Sequence, residues 1–271
     1  MSANLLVVCT ANIARSPLAE ALFEVHARAR GLDGQVGIVS AGTRARVGDA
    51  AAPPSVEIAA TWGVDLRRHR SQPVSDELLE RSDLVLTMTE EHRDVLSGRG
   101  ARVAQRCFTV RELHRLLEDV EVAVSPMASP GTVQPTGTAG ASSGARASGP
   151  ASASGGTQAA GPASASGAAH AAGPATSSQT AHAHSTPPAE RIAEVVQQAH
   201  RRRPVSARPG PEDIRDPYGH SHDVYRSVAT ELVELVGALA TPLLGPVPPA
   251  AHANLPRSPR ARRQGRRRRG S

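Results

Sequence analysis

The sequence predicts an α/β protein built on a doubly wound, four-stranded parallel sheet with helices on both faces. Short apolar runs alternate along the chain with segments of helical periodicity, and a parallel sheet with helical crossovers produces this alternation. The first apolar run, residues 5–9, leads directly into a polar turn and then into an amphipathic segment. The chain therefore opens with a strand, a loop and a helix in immediate succession.

The first helix follows that opening loop. Its apolar face consists of residues spaced four, three and four positions apart, namely Leu18, Leu22, Val25 and Ala29. Ser16 is the expected N-cap, Pro17 suits the first turn of a helix, and Gly31 is expected to end it. These signals predict a helix that begins where the loop ends.

The remaining elements follow from the same two periodicities. Further strands are predicted at 36–40, 83–88 and 103–110. Helices are predicted at 50–62, 75–81, 89–97, 111–120, 190–200 and 221–239. Each strand is separated from the next by at least one helix, as the doubly wound arrangement requires.

Composition separates an ordered part from two segments of low complexity. Residues 125–188 are mainly Ala, Ser, Gly, Pro and Thr, with one Arg and no acidic or aromatic residue. Such a segment buries too little apolar surface to offset its chain entropy, so it is predicted to be a disordered insertion. Residues 246–271 are predicted to be a disordered, Arg-rich tail. Residues 1–124 and 189–245 are then expected to form a single domain.

The basic character of the chain is concentrated in that tail. The net charge is +6, and eight of the 31 basic residues, all of them Arg, lie from Arg257 onward. Electrostatic contact with nucleic acid or an anionic surface is one interpretation of the tail, and an extension without a partner is the favoured one. Two cysteines provide no disulfide framework, and no apolar run reaches the ~18 residues of a membrane span, so a soluble cytoplasmic protein is expected.

The opening loop contains the residues of a phosphate site. Cys9 and Arg15 bracket five residues between a strand and the start of a helix, where backbone N–H groups and the helix dipole attract an anion. Arg15 can donate two hydrogen bonds to two phosphate oxygens, and the positive surroundings favour the nucleophilic thiolate of Cys9. Ser16 is expected to donate a hydrogen bond to that sulfur. The phosphate-binding residues are predicted to be Thr10, Ala11, Asn12, Ile13, Ala14 and Ser16.

The segment CTANIARSPLAE at 9–20 resembles the signature of the low-molecular-weight protein tyrosine phosphatase family, which is Cys-x5-Arg-Ser-Pro near the N-terminus. Further segments are similar to family motifs in the same order, namely SAGT at 40–43, HRSQ at 69–72, DLVLTMTEEHRDVL at 83–96 and DPYG at 216–219. The resemblance implies a flavodoxin-like sheet and hydrolysis of phosphomonoesters, with a phosphotyrosine protein or another aryl phosphate as the substrate.

The resemblance also implies a role for each site residue. Cys9 would attack phosphorus and carry a cysteinyl-phosphate intermediate, while Arg15 and the loop amides would stabilise the transition state. Asp216 would protonate the leaving phenolate and then deprotonate the hydrolytic water. A network that holds the loop in shape and one wall of the substrate pocket complete the site. These supporting roles fall to Asn12, Ser40, His69 and Tyr218.

Three features depart from the family pattern. Ala14 stands where the family often has a second Cys. Ala11 stands where the family usually has Gly, so this position is predicted not to adopt the left-handed conformation. Residues 44–48, which follow the SAGT segment, contain no aromatic side chain to stack on a phosphotyrosine ring. One wall of the pocket is therefore expected to be open, which does not favour strict selectivity for phosphotyrosine.

Two alternatives stay open at this point. An arsenate reductase of the same fold would need an external thiol, because Cys107 is expected to be a buried, inert residue of a strand. A weakly catalytic phosphate-binding or interaction protein would instead use the insertion and the tail. No cofactor and no metal site are expected, since His182 and His184 have no Cys or carboxylate nearby.

Overall fold

The computed structural model describes residues 2–124, 186–203 and 212–256 of the 271-residue chain. The predicted disordered insertion lies outside these residues except for 186–188, and so does the Arg-rich end from residue 257. The described segments on either side of the insertion belong to one and the same compact unit.

The central sheet consists of four parallel strands in the order β2–β1–β3–β4. Their bounds are Ala3–Cys9 for β1, Val36–Gly42 for β2, Leu84–Thr87 for β3 and Cys107–Thr109 for β4. The direction of the crossovers reverses between β1 and β3, and doubly wound sheets bind ligands in the crevice at such a switch point. The predicted fold class is confirmed, and the loop after β1 opens into this crevice.

Eight helices cover the two faces of the sheet in the described residues. They are α1 Arg15–Arg28, α2 Pro53–Ala60, α3 Asp76–Arg81, α4 Glu90–Ser97, α5 Ala101–Arg106, α6 Val110–Val124, α7 Pro188–Arg202 and α8 His222–Leu244. The larger apolar core lies under α1, α2, α6, α7 and α8, and the smaller one under α3, α4 and α5. Alternation along β1 places Cys9 on the larger core and Val8 on the smaller one.

Helix α8 is the central helix of the larger core. Among the described residues it is the one helix long and apolar enough to cross a membrane by length and composition, with half of its most apolar stretch buried. The sequence analysis found no run of this kind, because polar residues such as Glu231 and Glu234 interrupt the apolar ones. Leu232, Val236 and Leu239 are almost fully buried, so the apolar side of α8 serves the packing of the domain.

Three sequence predictions about element boundaries were wrong. Helix α1 begins at Arg15 with Ala14 as its N-cap, so Ser16 is not the cap. Helix α2 begins at Pro53 rather than at residue 50, because its two prolines suit the first helical positions. The fourth strand covers only Cys107–Thr109. Residues 101–106, rich in the good helix formers Ala, Arg and Gln, form α5 instead.

The prediction that disorder begins at residue 246 was also wrong for the part that is described. Helix α8 ends at Gly245, whose φ of 89° breaks the helix, and Arg30 donates a hydrogen bond of 2.6 Å to the Gly245 carbonyl oxygen. A 3-10 helix, Pro249–Asn254, follows. Its leading proline has the φ that a helical turn requires, a local signal that the overall composition of the tail concealed.

Candidate active site

The loop between β1 and α1 is held from outside by backbone hydrogen bonds. The Cys9 carbonyl oxygen accepts from Thr43 N and the Thr10 carbonyl oxygen from Arg44 N, each at 2.9 Å. Gly42, opposite Cys9 in the sheet, has no room for a side chain: a Cβ there would lie 2.5 Å from the Thr10 carbonyl oxygen. The SAGT segment is therefore the support against which the loop is built.

Cys9 lies at the bottom of this loop and is only 2% exposed. Its sulfur accepts a hydrogen bond of 3.3 Å from the Asn12 backbone N–H and lies 3.0 Å from the Ser16 hydroxyl. That hydroxyl already accepts from Asn12 Nδ2, so its proton is free to point at the sulfur, with the Ala41 carbonyl oxygen at 3.4 Å as the weaker acceptor. Donors aimed at sulfur stabilise a thiolate.

Asn12 is the residue that fixes the shape of the loop. It is fully buried and is the one non-glycine residue of the described chain with positive φ, at 55°. Its Nδ2 donates to Ser16 Oγ and Ser40 Oγ at 2.9 and 2.8 Å, and its Oδ1 accepts from Gln72 N at 3.0 Å. Asn tolerates the left-handed region better than most residues, so the strained position of the loop falls on Asn12 and not on Ala11.

A buried network continues outward from Asn12. His69 Nε2 donates to the Asn12 carbonyl oxygen at 2.7 Å, and burial lowers the pKa of His69 from its ordinary value, so the ring is neutral at pH 7. Ser40 Oγ donates to Glu20 at 2.5 Å, and burial raises the pKa of that carboxyl. Glu20 and Gln72 end the compared segments 9–20 and 69–72, but the sequence analysis assigned them no role, because only the folded chain shows their contacts with Ser40 and Asn12.

We expect the replacement of Asn12 to separate side-chain bonding from backbone strain. Asn12→Gly and Asn12→Ala both lose the three side-chain hydrogen bonds, which should lower the free energy of unfolding by roughly 2–4 kcal/mol. Only Ala also pays for the left-handed conformation, about 1 kcal/mol more. Urea denaturation of the two variants measures the difference. Equal stability of the two variants would show that φ at position 12 is not strained.

Arg15 brings the two halves of the sequence together. Its guanidinium is 3% exposed and forms an ion pair of 2.6 Å with Asp216, whose side chain is 46% exposed. Arg15 Nη1 also donates to the Ile214 carbonyl oxygen at 3.0 Å. Arg15 Nε is buried without a partner. The guanidinium therefore keeps one N–H donor without a protein partner, and this donor can bind a phosphate oxygen.

Thr10 is a further partner of Arg15 and is itself in contact with His92. Arg15 Nη2 donates to Thr10 Oγ1 at 3.2 Å, and Thr10 Oγ1 lies 2.9 Å from His92 Nε2. The other ring nitrogen of His92 is 2.7 Å from the Thr89 hydroxyl. Burial, and after it the charge of Arg15, lowers the pKa of His92 to about 4. A neutral imidazole therefore orients Thr10; the sequence signal for it was the cap spacing Thr89-x-x-His92.

Two exposed side chains stand out among the large hydrophobic residues near the loops of the site. Tyr218 is 67% exposed, and its backbone N–H donates to Asp216 Oδ1 at 3.2 Å. Val47 is 80% exposed and lies in the segment that follows SAGT. The Arg44–Glu91 ion pair connects the segment after β2 to α4, and both of its side chains are more than two-thirds exposed. Tyr218 thus contacts Asp216 through its backbone N–H, and its role as a wall of the substrate pocket stays a prediction.

Cys107 lies away from this site. It is fully buried, and burial raises the pKa of its thiol to about 12. The strand register places it two strands from β1 and level with Leu6, roughly 14 Å from Cys9 at ordinary strand spacings. A disulfide between them is excluded by that distance. Within the described residues no group of three or more metal-ligating side chains occurs.

The fold and this loop define a class of protein. A cysteine and an arginine bracket a five-residue loop at the carboxyl end of a parallel sheet, which is the architecture of a phosphatase with a cysteine nucleophile. Residues 4–125 match the family described as low molecular weight phosphotyrosine protein phosphatase. The chain belongs to this family, and it is a phosphatase. The family membership and the hydrolase activity predicted from the sequence are confirmed.

Two relatives agree with that assignment, and one solved structure shows the same fold. A protein-arginine-phosphatase of Bacillus subtilis is 38% identical over 109 residues, which are 40% of this chain and 71% of the relative. A probable low molecular weight protein-tyrosine-phosphatase of Ralstonia nicotianae, EpsP, is 35% identical over 115 residues, 42% and 75% of the two chains. The solution structure of a low molecular weight protein tyrosine phosphatase from Bacillus subtilis shares the fold, with a TM-score of 0.50, 23% identity and coverage of 89% and 96%.

Proposed function

We propose that the chain dephosphorylates phosphotyrosine in proteins in two displacements. In the first, the Cys9 thiolate attacks phosphorus, the bond from phosphorus to the phenolic oxygen breaks, and Asp216 gives its proton to that oxygen. In the second, water attacks the cysteinyl phosphate, Asp216 takes the proton of the water, and the S–P bond breaks. Inorganic phosphate is released, and the Cys9 thiolate is regenerated.

Arg15 and the loop amides hold the phosphoryl group in both steps. Charge on the equatorial oxygens is stabilised by the guanidinium and by the N–H groups at the start of α1. Before substrate binds, Arg15 is paired with Asp216, so phosphate replaces the carboxylate on the arginine. Once released from the ion pair, Asp216 takes up a proton from solvent and remains next to the leaving oxygen as the acid. One observation carries the proposal. The Arg15 guanidinium contacts Thr10 in the loop of the nucleophile and also Asp216, which lies 201 residues after Arg15 in the chain.

The burial of Cys9 and the exposed aromatic side chain near Asp216 favour an aryl phosphate as the substrate. Cys9 is almost fully buried beneath its loop, so a phosphate on a long, rigid side chain reaches the sulfur more readily than one on serine. Tyr218, two residues after Asp216, is an exposed aromatic side chain, which suits packing against an aromatic ring. Phosphoarginine is the second candidate, because the relative that is 38% identical is named a protein-arginine-phosphatase and a guanidinium also stacks on a tyrosine face.

Arsenate reduction is the weaker alternative. The distance between Cys9 and Cys107 leaves no internal thiol to pass a disulfide away from the nucleophile, so such a reaction would depend on an external thiol. We also propose a cytoplasmic location, because both cysteines are free and persist as thiols in a reducing compartment. The insertion 125–188 and the Arg-rich end are proposed to lie outside the catalytic machinery.

A side-by-side assay tests the proposal. Peptides with phosphotyrosine, phosphoserine or phosphoarginine are compared by kcat/KM, and arsenate-dependent oxidation of a thiol is followed in parallel, with the nucleophile variant Cys9→Ser as the blank. We expect phosphotyrosine to exceed phosphoserine by at least about 10²-fold, since a site built around one side-chain length rejects another strongly. A larger kcat/KM for phosphoarginine would transfer the assignment to the second candidate, and arsenate turnover alone would overturn both.

A further inference from the structure

The segment that carries Asp216, residues 212–216, is attached to the domain at each of its first three residues. Ile214 is fully buried, and its N–H donates to the Met88 carbonyl oxygen at 2.8 Å. Asp213 accepts from the Glu90 N–H at 2.7 Å, at the start of α4. Glu212, 7% exposed, is the buried charged attachment. This segment is called the acid loop below.

Glu212 is held by an arginine of α6. Arg115 donates to Glu212 Oε1 through Nη2 at 2.6 Å and through Nε at 3.1 Å. The second carboxylate oxygen of Glu212 lies 3.5 Å from the Thr109 hydroxyl and 4.0 Å from Arg93 Nη1. A carboxylate buried with these partners has a defined position, because moving it would leave buried charges unpaired.

Two partners of Glu212, Thr109 and Arg93, also contact Glu112. Thr109 and Glu112 form a reciprocal cap at the start of α6: Thr109 Oγ1 accepts from Glu112 N at 2.9 Å, and Glu112 Oε2 accepts from Thr109 N at 3.3 Å. Arg203, the residue after α7, donates to Glu112 Oε1 at 2.8 Å and lies over the Phe108 ring. We call Arg93, Thr109, Glu112, Arg115, Arg203 and Glu212 the glutamate–arginine cluster.

The cluster holds both residues that flank the undescribed segment 204–211. Arg203 enters it before that segment and Glu212 after it. The acid loop therefore begins at a fixed point of the domain, four residues before Asp216. None of the cluster residues was singled out as functional from the sequence, and none contacts Cys9.

We propose that Glu212 is a positioning residue for the general acid, which rests on the role proposed above for Asp216. In the free site the Asp216 carboxylate is held by Arg15 at 2.6 Å and by the Tyr218 N–H at 3.2 Å. When substrate binds, its phosphate replaces the Asp216 carboxylate as the partner of Arg15. From then on the position of Asp216 depends on the backbone attachments of the acid loop, and Glu212 supplies the ionic one.

The consequence is specific to protonation of the leaving group. A displaced acid slows the departure of a poor leaving group and matters little for a good one, whereas the phosphate loop itself is untouched. The expected signature is therefore a steeper dependence of kcat/KM on the pKa of the leaving phenol, together with unchanged affinity for inorganic phosphate. A change of about an ångström in the position of a catalytic group is enough to reduce rates by 10-fold or more.

The test compares Glu212→Gln with two matched variants over a series of aryl phosphates. Glu212→Gln keeps the size of the side chain and removes its charge; we expect a loss of about 10-fold in kcat/KM for phenyl phosphate and less than about twofold for p-nitrophenyl phosphate. Glu231→Gln breaks the Arg111–Glu231 pair of 2.5 Å between α6 and α8, a comparable pair away from the acid loop, and should change neither rate.

The outcomes separate this inference from the proposed function. Asp216→Asn is measured in the same series. If it steepens the dependence while Glu212→Gln lowers all rates equally or not at all, the positioning role is wrong and the proposed mechanism stands. If Asp216→Asn leaves the dependence unchanged, Asp216 is not the acid and both fail.

A second pair of variants covers the case in which Glu212→Gln does not fold. Arg115 is 21% exposed and tolerates Arg115→Gln more readily; this variant should steepen the dependence in the same way. Where Glu212→Gln does fold, the Arg115→Gln, Glu212→Gln double variant should cost less than the sum of the two single changes, because both remove one interaction. A uniform loss of rate in Arg115→Gln, or additive effects, would overturn the positioning role.

Discussion

Replacing Cys9 with serine will lower turnover by at least about 10⁴-fold, as removal of a catalytic nucleophile does elsewhere. A hydroxyl in the same place remains protonated at pH 7 and attacks phosphorus poorly, although its size barely differs from that of a thiol. The Asn12 N–H and the Ser16 hydroxyl, which lie 3.3 and 3.0 Å from the sulfur, keep the loop in place. Inorganic phosphate should therefore still stabilise the variant against heat.

The other cysteine provides the control for this experiment. Cys107→Ala removes a buried thiol on the opposite side of the sheet, so it should lower the free energy of unfolding by about 1 kcal/mol and leave kcat unchanged. Turnover that survives in Cys9→Ser, or that disappears in Cys107→Ala with the fold intact, would place the nucleophile elsewhere.

Replacing Asp216 with asparagine will reduce kcat/KM by about 10²–10³-fold for phenyl phosphate, and much less for substrates whose leaving phenol is acidic. Asparagine keeps the size of the side chain and its hydrogen bond to the Tyr218 N–H, but it has no proton to give. It also removes the ion pair with Arg15. Phosphate should consequently bind the variant more tightly than the wild type, because the arginine no longer has a competing carboxylate.

Asp213 is the matched control for Asp216→Asn. It lies three residues earlier in the same loop, is exposed, and accepts from the Glu90 N–H. Asparagine accepts from the Glu90 N–H through the same Oδ1, so Asp213→Asn keeps this attachment of the loop and should leave the dependence of kcat/KM on the leaving group as it is in the wild type. Equal behaviour of the two variants would mean that the loop, and not the Asp216 carboxyl, determines the rate.

The fold class and the central loop could be predicted from the sequence because both depend on local patterns. Short apolar runs predicted the strands β1, β2 and β3, which have four to seven residues. The segment from Cys9 to Pro17 has the Cys-x5-Arg-Ser-Pro spacing, which few other structures require. Ala11 could likewise be predicted to avoid positive φ, since an Ala side chain clashes there. That prediction is confirmed, for Asn12 takes this conformation instead.

What could not be predicted depends on tertiary contacts. Ser16 has the chemistry of an N-cap, but its hydroxyl is engaged by Cys9 and Asn12, and the helix starts two residues earlier, with Ala14 as its N-cap. Strand β4 was predicted at 103–110, but it has only three residues, because pairing with β3 covers only Cys107–Thr109 and the preceding residues form α5. His92 and Glu212 are ordinary polar residues in the sequence, and only the folded chain brings them to the site.

The ion pair between Arg15 and Asp216 has a consequence for the synthesis of the protein. The two residues are 201 positions apart, and α8, which covers α1, follows Asp216 in the chain. A growing chain on the ribosome therefore displays Cys9 and Arg15 long before it can acquire its acid. Contacts of such high sequence separation form late, so we expect the site to become complete only after the segment from Asp216 through α8 has been synthesised.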